Sequence, residues 1–467
     1  MPVNVDPALP SRSVASLSRR GFLRALAATG AWAVGGSLLA ACQPAAPPPA
    51  APAAPTTAAA AQPTSAPATS APAAQATAAP APQPTRAPTT VATVAPAAAK
   101  PASTGPLKLG VLLPFSQVYA QLGADILDGM NLYFEGIGNK AGGRDVQIVK
   151  EDEGVDPAPA VQKVRKLIEQ DQVELFTGIV STPIAYGARD LLHNAKVISV
   201  ISNAGGNDLT RGRKSPYIFR VSFSAWQVAY PLGEWEAKNL TKKVVITAAD
   251  YGFGRESAAA FKQSYEQNGG TVLKEIYPKF PNNDYAPNLP EIQAANPEAT
   301  YNFYSGSDAV NFVKQYNDFG LKKTIKLTGS GFLLEEDVLP AQGEAALGGI
   351  SSLHWAKTLD NPENTQFVAS WRAKYKREPS VFAMQGFDAA RVIVEALNKV
   401  SGNTADKDAL VKAMEGVKFS SPRGAFEFDP ATHNVINPIY LREVRLVDGK
   451  PGNVVTATLG TIKDPGA

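Results

Sequence analysis

DVQIVKEDEGVDPAPAVQKVRKLIEQDQVELFTGIVST, running from Asp145 to Thr182, changes its hydrophobic period twice. A short apolar segment (DVQIV) is followed by Val161, Val164, Leu167 and Ile168, whose spacing places them on one face of a helix. The chain then enters VELFTGIV, an apolar run too short for a helix and suited to a strand buried on both faces. Strand, helix and strand in this order predict a crossover unit, and such units build parallel sheets covered by helices on both sides.

The same alternation extends in both directions. Upstream, LKLGVLLPF reads as a strand and GADILDGMNLYFEGIG as a helix; downstream come a helix from STPIAYGARDLL and a strand in KVISVISNA. A second set begins after YIFRVSFS and a helix containing WQVAYPLGEWEAKNL. Its strands KVVITAAD, TVLKEIYPKF, ATYNFYSG and TIKLTGSGF alternate with helices such as RESAAAFKQSYEQNGG and SDAVNFVKQYNDFG, which end in glycines suited to left-handed caps. After GISSLHWA three helices follow one another to about Val417, and GAFEFDP and PIYLREVRLVDGKPG close the chain as strands with a turn. About 360 residues from Pro106 onward exceed one ordinary core and fit two domains. The expected fold class is α/β, with two Rossmann-like lobes built on parallel-rich sheets.

The first hundred residues differ in kind. Arg12, Arg19, Arg20 and Arg24 precede an apolar run of about 17 residues ending at Ala41, shorter than the roughly 20 a membrane span needs. A basic segment, a short apolar core and a small-residue end have the layout of a cleaved export signal, residues 1–41. SRRGFLR resembles a twin-arginine signal, with Arg19 and Arg20 as its pair, and LAAC resembles a bacterial lipoprotein box that would be cleaved before Cys42 and lipidated there. Residues 42–105 are rich in Ala, Pro and Thr, with no aromatic and no acidic residue, and predict a disordered tether. As a flexible coil, about 60 residues reach roughly 45 Å. The whole chain carries 45 basic and 42 acidic residues; the segment before Cys42 removes four arginines and one aspartate, leaving 41 of each sign. A neutral mature chain gives no support to nucleic-acid binding.

In order and spacing, GVLLPFS, EDEGVDPAPAV, FTGIVST, ISNAGGNDLT, ADYGFGR, GFDAARVIVEAL and SPRGAFEFDPATH resemble the type I periplasmic binding proteins of ABC transporters, in the branch of the leucine, isoleucine and valine receptors. The resemblance covers Pro106 to the C-terminus. It implies three hinge crossings between the lobes, placed near Ser222–Ser224, Ser352–His354 and Asp429–Asn434. Lobe 1 would then comprise 106–223 and 354–430, and lobe 2 would comprise 224–353 and 431–467. It further implies a receptor outside the cytoplasm, held to the membrane by lipid, working as a monomer that captures a small ligand and presents it to permease and ATPase subunits.

Ligands of open parallel sheets sit beyond the carboxyl ends of the strands, where helix N-termini favour a carboxylate. GIVSTP places Ser181 and Thr182 at such a start, either as helix caps or as the carboxylate contacts the resemblance implies. Ala204, Gly205 and Gly206 form the second loop; Ala204 matches the family's alanine, whereas Gly206 stands where a threonine is expected. Tyr251 matches the family's cleft tyrosine. Gly329, Ser330 and Gly331 replace the carboxylate that amino-acid receptors set against the ligand's ammonium, so either Asp250, Asp308 or Glu335 substitutes or the ligand carries no ammonium. Glu335, Glu336 and Asp337 otherwise read as a solvated helix start. Ser330, Tyr304, Ser305, Phe387, Phe115, Tyr119 and Trp226 are candidates for an apolar or aromatic pocket.

Enzyme chemistry finds little footing. His193, His354 and His433 are far apart without metal-ligand spacing, and the single cysteine is assigned to the anchor. Gly252-x-Gly254 lacks the third glycine of a dinucleotide site, Ser257 standing there. The sequence calls for no catalytic residue, metal or cofactor. It predicts a solute receptor for a branched-chain or related amino acid, with two alternatives: an aromatic or other ammonium-free carboxylate or amide in the same fold, or the sensor subunit of a signalling receptor.

Overall fold

The structure is a computed structural model, and it describes residues 105–466. The export signal with Arg19 and Arg20, the lipidation site Cys42 and all but the last residue of the tether lie outside the described residues. Among the described residues no helix is long and apolar enough to cross a membrane.

Two sheets organise the molecule. The first has nine strands: β1 (Leu107–Leu113), β2 (Lys140–Ala141), β3 (Arg144–Asp152), β4 (Leu175–Gly178), β5 (Ile198–Ile201), β6 (Ile218–Arg220), β12 (Lys418–Ser421), β13 (Gly424–Asp429) and β14 (Asn434–Val435), in the order β12-β13-β14-β6-β5-β4-β1-β3-β2. The second has seven: β7 (Lys243–Ala248), β8 (Thr271–Ile276), β9 (Ala299–Phe303), β10 (Lys326–Ser330), β11 (Ile350–Leu353), β15 (Asn437–Val447) and β16 (Lys450–Ile462), in the order β16-β15-β11-β10-β9-β7-β8. The first sheet has a parallel centre β3-β1-β4-β5-β6, to which the two-residue β14 adds in parallel beside β6, and the second has β8-β7-β9-β10-β11; antiparallel strands complete the edges. Among the parallel strands of each lobe the first lies between the second and the third: β1 between β3 and β4, and β7 between β8 and β9.

The helices follow the predicted periodicity. They are α1 (Ala120–Gly136), α2 (Pro157–Glu169), α3 (Thr182–Asn194), α4 (Ala225–Asn239), α5 (Gly252–Gln267), α6 (Leu289–Ala295), α7 (Ser307–Asp318), α8 (Leu339–Gln342), α9 (Pro362–Tyr375), α10 (Val381–Lys399) and α11 (Lys407–Glu415). In α2 the buried positions are Ala160, Val164 and Leu167, with Val161 and Ile168 half-buried beside them. α1 and α10 approach until their backbones touch: a Cβ on Gly129 would stand 2.0 Å from the Ala383 carbonyl oxygen, and one on Gly386 would stand 1.9 Å from that of Ile126. Only glycine permits that contact.

The chain passes between the sheets after β6, after β11 and at Ile436, between β14 and β15. Residues 434 and 435 pair with the first sheet, so the third passage comes later than the expected boundary at 431. Buried arginines fasten all three passages. Arg423 pairs with Asp388 at 2.9 Å and reaches the Ser222 carbonyl and Asn437 Oδ1, both at 3.1 Å. Arg442 pairs with Glu335 at 2.8 Å and donates to the carbonyls of Trp355 (2.9 Å) and Gly331 (2.8 Å). Both ion pairs are fully buried. Glu335 also accepts the N–H of Val381, at the start of α10, at 2.7 Å. The run Glu335–Asp337 is therefore no solvated helix start: Glu335 and Glu336 are buried, and the partner that makes this tolerable is 107 residues away.

Two stability tests follow from these buried charges. Arg442→Met leaves Glu335 buried without its partner and is expected to cost about 3–5 kcal/mol in denaturant unfolding of the soluble module; a loss below about 1 kcal/mol would contradict the role given to this pair. Glu236, on α4, accepts hydroxyls from Thr328 and Thr241 at 2.8 and 3.3 Å, and burial pushes its carboxyl up to about 7. The folded chain therefore holds a proton that the unfolded chain releases. This contribution is fully present below the ordinary glutamate range and is lost as pH rises through about 7, a change on the order of 3 kcal/mol. Glu236→Gln should flatten the fall in melting temperature between about pH 5 and pH 8, and an unchanged slope would reject that assignment.

Candidate functional site

In a doubly wound sheet the crevice opens beyond the carboxyl ends of the first and third strands, where successive crossovers leave to opposite faces. Here those strands are β1 and β4 in one lobe, β7 and β9 in the other, and the residues that follow them face one another across a single cavity. Tyr119 and Leu122 come from the segment after β1, Val180 and Thr182 from that after β4, Tyr251 and Phe253 from that after β7, Phe303 and Ser305 from the end of β9. Asn203 and Gly205 after β5, Phe223 in the first passage, Phe332 after β10 and Phe382 at the start of α10 complete the wall. The side chains meet closely: the space between them is about 290 Å³ when counted out into open solvent, and only about 20 Å³ of it is open to the centre of a water-sized sphere.

Five phenylalanines give the cavity its character. Phe223 meets Phe253 edge-on at 5.6 Å and lies 4.8 Å from Phe332; Phe303 lies 4.7 Å from Phe253, and Phe382 stacks on Phe332 at 6.0 Å. Gly205 sits under this cluster, where a Cβ would come within 2.4 Å of the rings of both Phe223 and Phe253. Glycine is required there because aromatic rings from two lobes close over the backbone.

The polar groups of the wall are all neutral. Thr182 is buried and its Oγ1 has no hydrogen-bond partner among the described residues. Tyr119 Oη donates to Tyr251 Oη at 3.0 Å across the cleft, with the Ser305 hydroxyl beside it, and burial holds both phenols above their usual range. Asn203 Nδ2 donates to Gln385 Oε1 at 2.8 Å, and the Gln385 amide meets His354 Nε2 at 3.2 Å. Burial, with Arg423 and Arg442 nearby, pushes His354 well below the usual histidine range, so it supplies no positive charge. Among the described residues no lysine, arginine, aspartate or glutamate lines the cavity.

One carboxyl stands directly behind the wall. Glu153 is buried and accepts the backbone N–H groups of Val180 (2.8 Å) and Ser181 (2.7 Å) at the start of α3. The turn that aims both donors inward passes through Ile179 at φ 61°, a left-handed conformation rare for a β-branched residue and costing about 1–3 kcal/mol. Bonds from Ile179 to the Leu112 carbonyl and from Ala204 to the Ile179 carbonyl hold it in place.

Of the residues expected at the site, the structure brings Thr182, Gly205, Tyr251, Tyr119 and Ser305 to the cavity wall. The others lie elsewhere. Ser181 precedes α3 and makes no side-chain cap, its backbone being engaged by Glu153. Ala204 is fully buried with its N–H given to Ile179. Gly206 packs behind the wall, where a Cβ would clash with Thr182 and Tyr186. Ser330 is buried at the end of β10. Tyr304 turns into the second lobe against Tyr285 and Phe312. Phe387 meets Tyr133 edge-on at 5.0 Å in a separate hollow of the first lobe, and Trp226 stacks on Tyr230 at 4.6 Å in a groove beside β16. Phe115 lies under Lys150. None of the three carboxylates proposed for an ammonium lines the cavity: Asp250 is exposed and paired with Arg255, Asp308 accepts from the Asn282 backbone, and Glu335 is bound to Arg442. Leu122, Val180, Asn203 and the five phenylalanines went unpredicted. For Phe253, Phe303 and Phe332 the available signal was their position at or just after the carboxyl ends of strands.

Comparison with known proteins agrees with this architecture. The model of the periplasmic binding protein family matches residues 106–451. Leu/Ile/Val-binding protein homolog 6 of Brucella melitensis is 33% identical over 378 residues, covering 79% of this chain and 95% of the relative. Among solved structures, a solute-binding protein of an ABC transporter from R. palustris, in complex with benzoate, is 36% identical with a TM-score of 0.73, covering 76% of this chain and 97% of that one. A second, from Rhodopseudomonas palustris in complex with 3,4-dihydroxybenzoic acid, is 34% identical with a TM-score of 0.74, covering 77% and 98%. An ABC transporter substrate-binding protein from Sphaerobacter thermophilus is 35% identical with a TM-score of 0.73, covering 77% and 99%. Two α/β lobes facing one cavity at their strand ends, and a family match across both of them, place this chain in the periplasmic binding protein family, with the type I fold of ABC-transporter solute-binding proteins.

Proposed function

We propose that this protein is an extracytoplasmic receptor that captures an aromatic monocarboxylate of the benzoate type in its interlobe cavity and presents it to an ABC permease. The observation that carries the reading is the composition of the wall: five phenylalanines and two tyrosines around neutral hydroxyl and amide groups, with no carboxylate lining the cavity. An amino acid would bring an ammonium into this space. Burying an unpaired ammonium costs several kcal/mol, and cation–π attraction to the rings, about 0.5–2 kcal/mol, offsets only part of that. A single-ring acid instead matches ring faces and edges on most sides and meets Thr182 Oγ1 as a donor at one end. The benzoate and dihydroxybenzoate complexes of the two R. palustris relatives support the same class, whereas the Brucella relative's designation favours the amino-acid alternative. The lipid anchor at Cys42, twin-arginine export through Arg19 and Arg20, and the monomeric state belong to this proposal as the setting of the receptor.

Calorimetric titration of the soluble module from Pro106 onward should give at least a hundredfold tighter binding for benzoate or 4-hydroxybenzoate than for leucine. Phe332→Ala should weaken the aromatic acid by 3–5 kcal/mol at most, the usual cost of removing a buried phenylalanine, and Thr182→Val by roughly 1–2 kcal/mol. Leucine binding more tightly than every aromatic acid would overturn the ligand class.

Closure has its own test. Glu256 on α5 accepts Tyr186 Oη at 2.7 Å and the Asn207 backbone N–H at 2.6 Å, both from the opposite lobe. Glu256→Ala removes these bonds from the closed form alone, and hydrogen bonds to a charged group contribute about 1.5–3 kcal/mol. Ligand affinity should fall about tenfold or more, chiefly through faster dissociation; an unchanged dissociation rate would show that the contact does not hold the lobes together.

A further inference from the structure

Two of the backbone donors at the start of α3 that would suit a ligand carboxylate, those of Val180 and Ser181, are already occupied from inside the protein. Glu153 takes the N–H of Val180 on one oxygen and that of Ser181 on the other, and Val180 is itself part of the cavity wall. A ligand anion enclosed here would face a second carboxylate through one layer of backbone, with no cation in the wall to separate them. Two hydroxyl donors of the wall remain: Thr182 Oγ1, buried and without a partner among the described residues, and Tyr251 Oη, which accepts from Tyr119 and keeps its own proton to give.

We propose that capture is proton-linked through Glu153: the cavity closes on an aromatic carboxylate only when Glu153 carries a proton, so that one negative charge rather than two is enclosed. This rests on the aromatic-acid reading above. A protonated Glu153 still accepts both backbone donors, so α3 keeps its geometry while the charge disappears.

The surroundings of Glu153 favour the neutral acid. Asp152, its neighbour on β3, is a carboxylate held by the Phe115 N–H and the Ser116 hydroxyl, and it opposes ionisation of Glu153. From α2, Lys163 is engaged by the Asp152 carbonyl oxygen at 2.5 Å. From the segment after β1, the buried phenol of Tyr119 faces it uncharged, with Asp308 of the other lobe beyond. α3 contributes backbone N–H groups only. Burial is the largest influence and pushes the Glu153 carboxyl up to about 8. With the lobes together as they are here, burial therefore favours the protonated acid at neutral pH, and deprotonation above about 8 competes with ligand.

The measurement is calorimetric titration of the soluble module with benzoate at about pH 7 and pH 9, in pairs of buffers of different ionisation enthalpy. Proton uptake should be close to zero at pH 7 and approach one per ligand at pH 9, with affinity flat below about pH 8 and falling about tenfold per pH unit above it. Benzamide, the neutral analogue, should bind without proton uptake at either pH, a control that needs no variant. Glu153→Gln should bind benzoate with an affinity independent of pH up to 9. Benzoate binding at pH 9 without proton uptake, or benzamide following the same pH profile as benzoate, would overturn the linkage and leave the ligand class standing. Failure of every aromatic acid to bind at pH 7, where Glu153 is already protonated, would instead overturn the ligand class and the linkage with it.

Discussion

The two buried arginine–carboxylate pairs, Arg423–Asp388 and Arg442–Glu335, are the constraint on which the two-lobed arrangement depends. A chain that passes three times between two sheets must bring backbone carbonyls into a narrow, dry junction where the regular ladders end. Arg423 collects the Ser222 carbonyl and the Asn437 side chain, and Arg442 collects the carbonyls of Trp355 and Gly331. Arg220, buried in β6, adds the Gly206 carbonyl and Asn434 Oδ1. A guanidinium suits the task because its planar set of donors meets several acceptors at once, and in Arg423 and Arg442 its charge is balanced by a buried carboxylate. Such pairs add little net stability compared with apolar packing. What they contribute is geometry, fixing how the lobes connect while leaving the cleft edge to respond to ligand.

The chemistry of the cleft follows from where the two sheets change winding direction. The residues just beyond β1, β4, β7 and β9 are brought together by topology whatever their identity, and this chain fills half of those wall positions with rings. Ring edges meeting ring faces give directional packing worth about 0.5–1.5 kcal/mol per pair beyond the area they bury. The same rings exclude water, so every polar mismatch inside becomes expensive. On the proposed aromatic-acid reading, selectivity against an ammonium needs no repelling group. It arises because Asp250, Asp308 and Glu335 are each engaged outside the wall.

Much of the fold was legible because helix and strand periods are local properties. Val161, Val164 and Leu167 announce α2 without help from anything distant, and the apolar run at 173–180 announces β4. The site was legible only to the resolution of a loop. Tyr304 was chosen together with Ser305, whereas Phe303 and Ser305 face the cavity; Ser330 was chosen where Phe332 does, and Phe387 where Phe382 does. Which side chain a loop presents depends on backbone turns such as that at Ile179, whose positive φ no propensity anticipates for a β-branched residue. The reading of Glu335–Asp337 as solvated failed for a related reason. Burial of an acid is decided by its partner, and Arg442 arrives from the far end of the chain.

Closure, finally, rests on few contacts. Tyr119 meets Tyr251, Glu256 meets Tyr186 and Asn207, and Glu335 meets the start of α10. At about 0.5–3 kcal/mol for each hydrogen bond, these are comparable with the cost of ordering the groups that make them. A receptor of this kind gains its response from that near-balance, since a ligand shifts the population only by its differential affinity for the closed form. The phenylalanine cluster supplies that difference: Phe223 and Phe382 approach from one side and Phe253, Phe303 and Phe332 from the other, so their shared surface exists only when the lobes meet. Gly205 is where the two sets converge, which makes a missing side chain as much a part of the binding site as the rings above it.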